Sequence, residues 1–305
     1  MQTTMNVSVL RTAAGCLAAV LATLHLGLAR AAEAPADGRE AEAKAAWADA
    51  SAAHINGPTE IKLRDQAVLK LPAGYVWIPE PAASKLMRAM GNHPDDREIG
   101  LVFPQKDEEN WMVVAKYEAA GYIKDDDAKD WNVDDLFKNL KEGTEAANEE
   151  RRQRGFPELE IVGWVERPAY EAATHRLVWS MAARDKGDTT SAQSINYNTY
   201  ALGREGYITL NLITGSDHIA EDKTHAHALL SSLDFNEGKR YSDFNSSTDK
   251  VAEYGLAALV GGFAAKKLGL LALAGAFFAK FAKLIVVALA GVGVAVKKFI
   301  GRSKA

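Results

Sequence analysis

Residues 160–166 (EIVGWVE), 174–183 (THRLVWSMAA), 194–202 (SINYNTYAL) and 207–214 (YITLNLIT) decide the fold. Each is short and rich in β-branched and aromatic residues, the composition of a strand on a pleated, half-buried surface. Between them stand Pro168, Lys186-Gly187-Asp188 and Gly203-Arg204-Glu205-Gly206, which supply turn chemistry. Strands this close in sequence pair antiparallel, so the stretch reads as a β-meander. Asp217–Leu233 follows as a helix that would pack on it.

Upstream, Asp37–Ala53 is Ala-rich and reads as a helix ended by Asn56-Gly57-Pro58. Glu60–Arg64 and Ala67–Leu71 read as strands, with Pro72-Ala73-Gly74 as the next turn. Pro81–Met90 reads as a short helix closed by Gly91, and Ile99–Phe103 and Trp111–Tyr117 as further strands. Asn132–Arg154 is a long helical stretch with Asn132 at its N-cap, Asp134 and Asp135 in its first turn, and Gly143 as a candidate break. Strands in runs with helices before and after predict an α+β fold: an antiparallel β-meander with packed helices. Residues 32–248 form this body, either as one unit or as lobes 32–155 and 156–248.

The chain has 305 residues, 48% hydrophobic and 25% charged, which suits a folded protein and excludes wholesale disorder. Its single cysteine, Cys16, excludes a disulfide scaffold and a cysteine-based zinc site. All 40 acidic residues lie within 32–253, whereas 254–305 carries eight Lys and Arg and no acid. An acidic body repels phosphate backbones, so no nucleic-acid partner is expected.

The two ends are apolar. Residues 1–31 read as a secretory signal: Arg11, an apolar run over Ala13–Ala29, and A-x-A cleavage sites at Ala29-Arg30-Ala31 and Ala32-Glu33-Ala34. An uncleaved membrane helix is the alternative. Residues 249–305 read as a membrane anchor with a basic tail. From Tyr254 to Val296 every residue is apolar, Gly or Lys. Lys266, Lys267, Lys280 and Lys283 divide the stretch, and Lys297 and Lys298 open the closing basic cluster. Two arrangements fit: a tilted crossing with snorkelling lysines, or an amphipathic helix lying in the interface of an anionic bilayer. The terminal basic cluster favours the crossing, as a stop-transfer and positive-inside signal. The expected placement is the bacterial inner membrane, single-pass, with the body periplasmic and the C-terminus cytoplasmic. The lipid bilayer is then one partner, and small residues four apart (Ala272/Ala276, Gly275/Ala279) suit self-association into a homo-oligomer.

The chain also resembles a bacterial family of uncharacterised membrane-anchored proteins known as a domain of unknown function. The resemblance rests on residues 121–128 (GYIKDDDA), 148–155 (NEERRQRG), Gly163-Trp164 with Pro168 and Tyr170, 174–179 (THRLVW), 202–206 (LGREG) and 249–256 (DKVAEYGL). It implies a tethered extracytoplasmic domain and carries over no catalytic residue.

Candidate chemistry is sparse. Asp125, Asp126 and Asp127 offer hard oxygen ligands suited to Ca²⁺, without EF-hand spacing; the plain alternative is an acidic lead into a helix. His218, Glu221 or Asp222, and His225 share one face of the expected helix, as metal ligands or as a solvated face. His175, expected in a strand, is a candidate catalytic base or a structural histidine. Arg204, between two glycines, is a candidate for binding carboxylate or phosphate, or half of an exposed charge pair. No G-x-S-x-G, H-E-x-x-H or P-loop motif occurs. No resident cofactor or metal is expected. The expected function is a membrane-anchored periplasmic binding or scaffold protein for an envelope protein partner. A membrane-tethered hydrolase using His175, or a bilayer-sensing envelope protein, are the alternatives.

Overall fold

The computed structural model describes residues 36–261 apart from positions 91, 93, 107, 154–156 and 191–192. The expected signal and the lysine flanks Lys266, Lys267, Lys280, Lys283, Lys297 and Lys298 lie outside the described residues. Among the described residues no helix is long and apolar enough to cross a membrane.

The elements run α1 (Ala36–Ala53), β1 (Ile55–Asn56), β2 (Thr59–Leu63), β3 (Ala67–Leu71), β4 (Tyr75–Pro79), α2 (Ala82–Ala89), β5 (Glu98–Pro104), β6 (Met112–Glu118), α3 (Val133–Gln153), β7 (Leu159–Glu171), β8 (Arg176–Asp185), β9 (Ser194–Leu202), β10 (Tyr207–Gly215), α4 (Ile219–Ser231) and β11 (Leu233–Phe235). Short 3-10 turns occupy Asp126–Lys129 and Tyr241–Asp243. Eight strands form one sheet in the order β1-β4-β5-β6-β10-β9-β8-β7, and each neighbouring pair is antiparallel. The meander occupies one half as expected. Strands from both sides of Gly155 are hydrogen-bonded in this sheet, so the two candidate lobes share it. β11, β3 and β2 form a second, smaller antiparallel sheet.

Three layers result. Alternate residues send Tyr75, Trp77, Val113, Tyr197, Ile208, Leu210 and Leu212 to one face of the large sheet, where they pack against Leu63, Leu69 and Leu71 of the small sheet and Ala226, Leu229 and Leu230 of α4. The opposite face is covered in two parts. Over β4–β6, α1 and α2 lay down Ala46, Ala50, Leu86 and Met87 on Val76, Ile78, Leu101 and Val114. Over β8 and β9, the segment around Ile123, α3 through Leu136, and the C-terminal segment through Tyr241, Leu256, Leu259 and Val260 cover Leu177, Trp179, Tyr200 and Leu202.

Three expectations are corrected. Gly143 does not break α3, which is continuous from Val133 to Gln153. A glycine costs a helix about 1 kcal/mol, and the other 20 residues of this 21-residue helix carry it. Pro168 is not a turn but lies inside β7. β7 is the sheet's edge, where a missing N–H breaks no ladder, and its pairing with β8 shifts register between Glu166 and Ala169. The turn instead falls just before Arg176, where His175 adopts φ of 54°, so this histidine is not in a strand. The Asn132 cap forms as expected: its side-chain oxygen accepts from the backbone N–H of Asp134 (2.9 Å) and Asp135 (3.3 Å).

Candidate functional site

The C-terminal segment lies across the body as a strap over residues 236–261, and most of the candidate residues meet on it. Arg204 sits in the β9–β10 turn. Its guanidinium donates to both carboxylate oxygens of Asp249, at 2.7 and 2.8 Å, and reaches the Gly238 carbonyl at 3.2 Å. The paired guanidinium holds the Asp249 carboxyl well below the ordinary carboxylate range, and the Asn245 backbone N–H adds to the shift. The reciprocal effect raises the Arg204 pKa. Arg204 is thus a clamp on the strap: its guanidinium is engaged by Asp249 and is not left free as the anion-binding reading requires.

Gly121 and Tyr122 make the second fastening. Tyr122 donates its N–H to the Lys250 carbonyl (2.8 Å) and accepts from the Ala252 N–H (2.9 Å). Gly121 has φ of 95°, and a Cβ there would stand 2.6 Å from the Lys250 carbonyl oxygen. Glycine meets both demands: it tolerates positive φ and leaves room for the strap. The Tyr122 ring stacks on Phe244 of the strap at 3.8 Å.

The three aspartates separate. Asp127 accepts from the backbone N–H groups of Leu256 (3.1 Å) and Ala257 (3.0 Å), capping the helical turns that end the described chain. Gly255 permits this approach, since a Cβ there would lie 2.5 Å from Asp127 Oδ2. Asp126 is exposed. Asp125 turns the other way and accepts the Tyr170 hydroxyl proton at 2.7 Å. The Ca²⁺ arrangement of three neighbouring aspartates is therefore not assembled: one caps a helix, one faces solvent, and one joins a different cluster.

Asp125 and His175, fifty residues apart in sequence, do meet. His175 Nδ1 lies 3.0 Å from the Tyr170 hydroxyl and 3.7 Å from Asp125 Oδ2. Tyr170 has one proton, and it goes to Asp125. Nδ1 must then carry a hydrogen and donate to the tyrosine oxygen. Burial, the Asp125 hydrogen bond and the Asp125 charge push the Tyr170 pKa far up. The His175 ring stacks on Tyr241 of the strap at 4.0 Å. Tyr241 in turn donates its hydroxyl to the Ile123 carbonyl at 2.7 Å, and burial holds its pKa well above the ordinary tyrosine value. The nearby Thr174 hydroxyl is turned to Glu171 (2.6 Å), so it is not presented to His175 as a nucleophile.

Of the two readings of the α4 histidine face, metal ligands or a solvated face, the contacts do not assemble the first. His218 pairs with Asp217 at 3.4 Å, Asp222 is buried against the Thr214 hydroxyl, and His225 shares a 2.8 Å hydrogen bond with Tyr75 and stacks on Trp111. Among the described residues no group of three His, Cys, Asp or Glu side chains is placed to hold a metal. Asn148 serves structure: it exchanges two hydrogen bonds with the backbone of Leu159, at 2.8 and 2.9 Å, joining α3 to β7.

Tyr122, Tyr170, Tyr241 and Asp249 were not identified as site residues from the sequence. A signal existed: three of these four lie in the stretches that carried the family resemblance, as do Asp127, His175, Arg204 and Gly255.

Fold and site together define an α+β domain on one large antiparallel sheet, with its C-terminal strap fastened by Arg204, Asp127 and Tyr122. The chain belongs to a family of proteins of unknown function, DUF2167, whose model matches residues 55–290. Among solved structures it is similar to cyanobacterial PsbP (CyanoP) from Synechocystis sp. PCC 6803, with a TM-score of 0.34 and 14% identity over 60% of this chain and 91% of that one. It is also similar to the Ran-binding protein Mog1p from Saccharomyces cerevisiae, with a TM-score of 0.32 and 10% identity over 61% of this chain and 98% of that one. No curated protein matches the chain in sequence.

Proposed function

We propose that this protein is a periplasmic scaffold or binding domain held at the bacterial inner membrane by its C-terminal region and docked to an envelope protein partner. The fastening of residues 249–261 to the body is the observation that carries the reading. Two side chains from distant loops, Arg204 and Asp127, grip the segment that leads into the apolar, lysine-bearing stretch. A flexible tether would need no such grip. A fastened one sets which face of the domain is turned from the bilayer, and tethering raises the effective concentration of a partner there. The acidic charge of the body suits a basic partner surface and opposes collapse onto anionic headgroups. The hydrolase alternative draws on His175, whose contacts here are tyrosines and a carboxylate.

The test compares three chains by cross-linking in intact cells: full length, a chain ending at Gly261, and a full-length Arg204→Gln/Asp127→Ala double variant. One partner protein recovered with the full chain and lost from both altered chains is the expected result. Equal recovery from all three would reject the role of the fastened anchor. Release of the full chain from vesicles by alkaline carbonate would reject membrane attachment itself.

A further inference from the structure

We propose that Asp125, Tyr170 and His175 form a metal site that takes a trivalent ion, Fe³⁺, through carboxylate, phenolate and imidazole. Three different donor atoms converge there: Asp125 Oδ2, Tyr170 Oη and His175 Nδ1 are separated by 2.7, 3.0 and 3.7 Å. Donors sharing one ion at bonds of about 2.1 Å lie roughly 3.0–3.4 Å from each other in octahedral or tetrahedral geometry. One side of the triangle lies in that range and the other two fall about 0.3 Å outside it, one short and one long, so small side-chain shifts suffice once the protons between the donors leave.

The backbone and surroundings support the same reading. His175 is one of two described non-glycine residues with positive φ, the other being Arg64. A strained conformation held by its surroundings is a common mark of a positioned functional group. His175 Nδ1 faces Tyr170 and Asp125. Tyr241 stacks on the imidazole, and the Leu202 N–H binds the His175 carbonyl at 3.0 Å, so ring and backbone are both fixed from outside the donor set. Asp125 and His175 keep 27% and 29% side-chain exposure, so an ion has a route in and water or an anion can complete its coordination.

The donor chemistry selects the ion. Tyr170 must lose its proton to bind. A small ion of high charge stabilises the phenolate, as bound cations do for coordinated water and thiols. One hard anionic carboxylate and one phenolate suit Fe³⁺ better than a soft ion. Binding replaces the Tyr170 O–H bond by an O–Fe bond and releases that proton to solvent, while the His175 hydrogen moves from Nδ1 to Nε2 so that Nδ1 has a lone pair for the ion; no oxidation state changes. Affinity therefore rises with pH until ferric hydrolysis competes.

The experiment titrates the detergent-solubilised full chain with ferric nitrilotriacetate and follows visible absorption, with iron content measured after gel filtration. The account predicts one retained iron per chain and a phenolate-to-iron charge-transfer band. Tyr170→Phe should abolish the band, and Asp125→Asn and His175→Gln should each lower retention at least tenfold. Tyr122→Phe, a neighbouring tyrosine outside the donor set, should keep both readouts; circular dichroism identifies any variant that fails to fold. No band and no retained iron in the folded wild-type chain would overturn the proposal. So would a band that survives Tyr170→Phe, or retention of Zn²⁺ without Fe³⁺.

Discussion

One face of the large sheet is covered twice, by different means. Over β4–β6, α1 and α2 supply Ala46, Ala50, Leu86 and Met87 to an apolar seam, and polar contacts such as Lys85–Asp49 stay at the surface. Over β8 and β9, the strap also buries apolar side chains, Leu256, Leu259 and Val260, but it is registered by directional bonds from Arg204, Asp127 and Tyr122. Burial is non-directional and tolerates sliding. Hydrogen bonds and bidentate ion pairs fix position along the chain. The helical cover thus provides stability, and the strap provides stability together with a defined exit for the chain.

The contrast can be broken from either side. Leu86→Ala in the helical cover removes a fully buried side chain and should cost the whole domain about 2–5 kcal/mol in denaturant unfolding. It should leave strap contacts intact below the transition. Gly121→Ala adds a Cβ against the Lys250 carbonyl at an unfavourable φ. The expected cost is about 1–3 kcal/mol, with protease cleavage concentrated in 245–255. Asp127→Ala removes the cap on Leu256 and Ala257 and should cost about 1 kcal/mol; local hydrogen exchange is its readout, since the core is untouched.

The smallest effect sharpens the comparison through pH. Asp249 has a lower carboxyl pKa in the folded chain than in the unfolded one. Its stabilisation is therefore complete above the unfolded carboxylate value of about 3.9 and is lost as pH falls from there through the folded value. Acid should loosen the strap before it loosens the helical cover, and Arg204→Gln should flatten this dependence. Asp95, held down to about 2 by Arg97 in the body, follows the same sign and marks the background against which the strap is read.

The meander was legible because alternation, turn residues and short spacing all agreed. β4 was not, because Val76, Trp77 and Ile78 are buried on both faces and leave no alternation to read. The β7–β8 turn was misplaced because Pro168 is a common turn residue and His175 is not, whereas the edge position of β7 admits the proline. The site was legible only in fragments. Asp125 and His175 were each visible as chemistry-bearing residues, and Arg204 as a cation for an anion or half of an exposed charge pair. What joins them, Tyr170 for the first pair and Asp249 for the arginine, depends on contacts across 45 residues or more, which spacing does not encode.

The central claim is that residues 249–261 are fastened to the body. Hydrogen exchange on the full-length chain in detergent tests it at the backbone amides of Ala252, Leu256 and Ala257. The account predicts strong protection at all three, retained in Leu86→Ala below its transition and lost in the Arg204→Gln/Asp127→Ala double variant. Exchange of these amides in the wild-type chain at the rate of an unstructured peptide would contradict it.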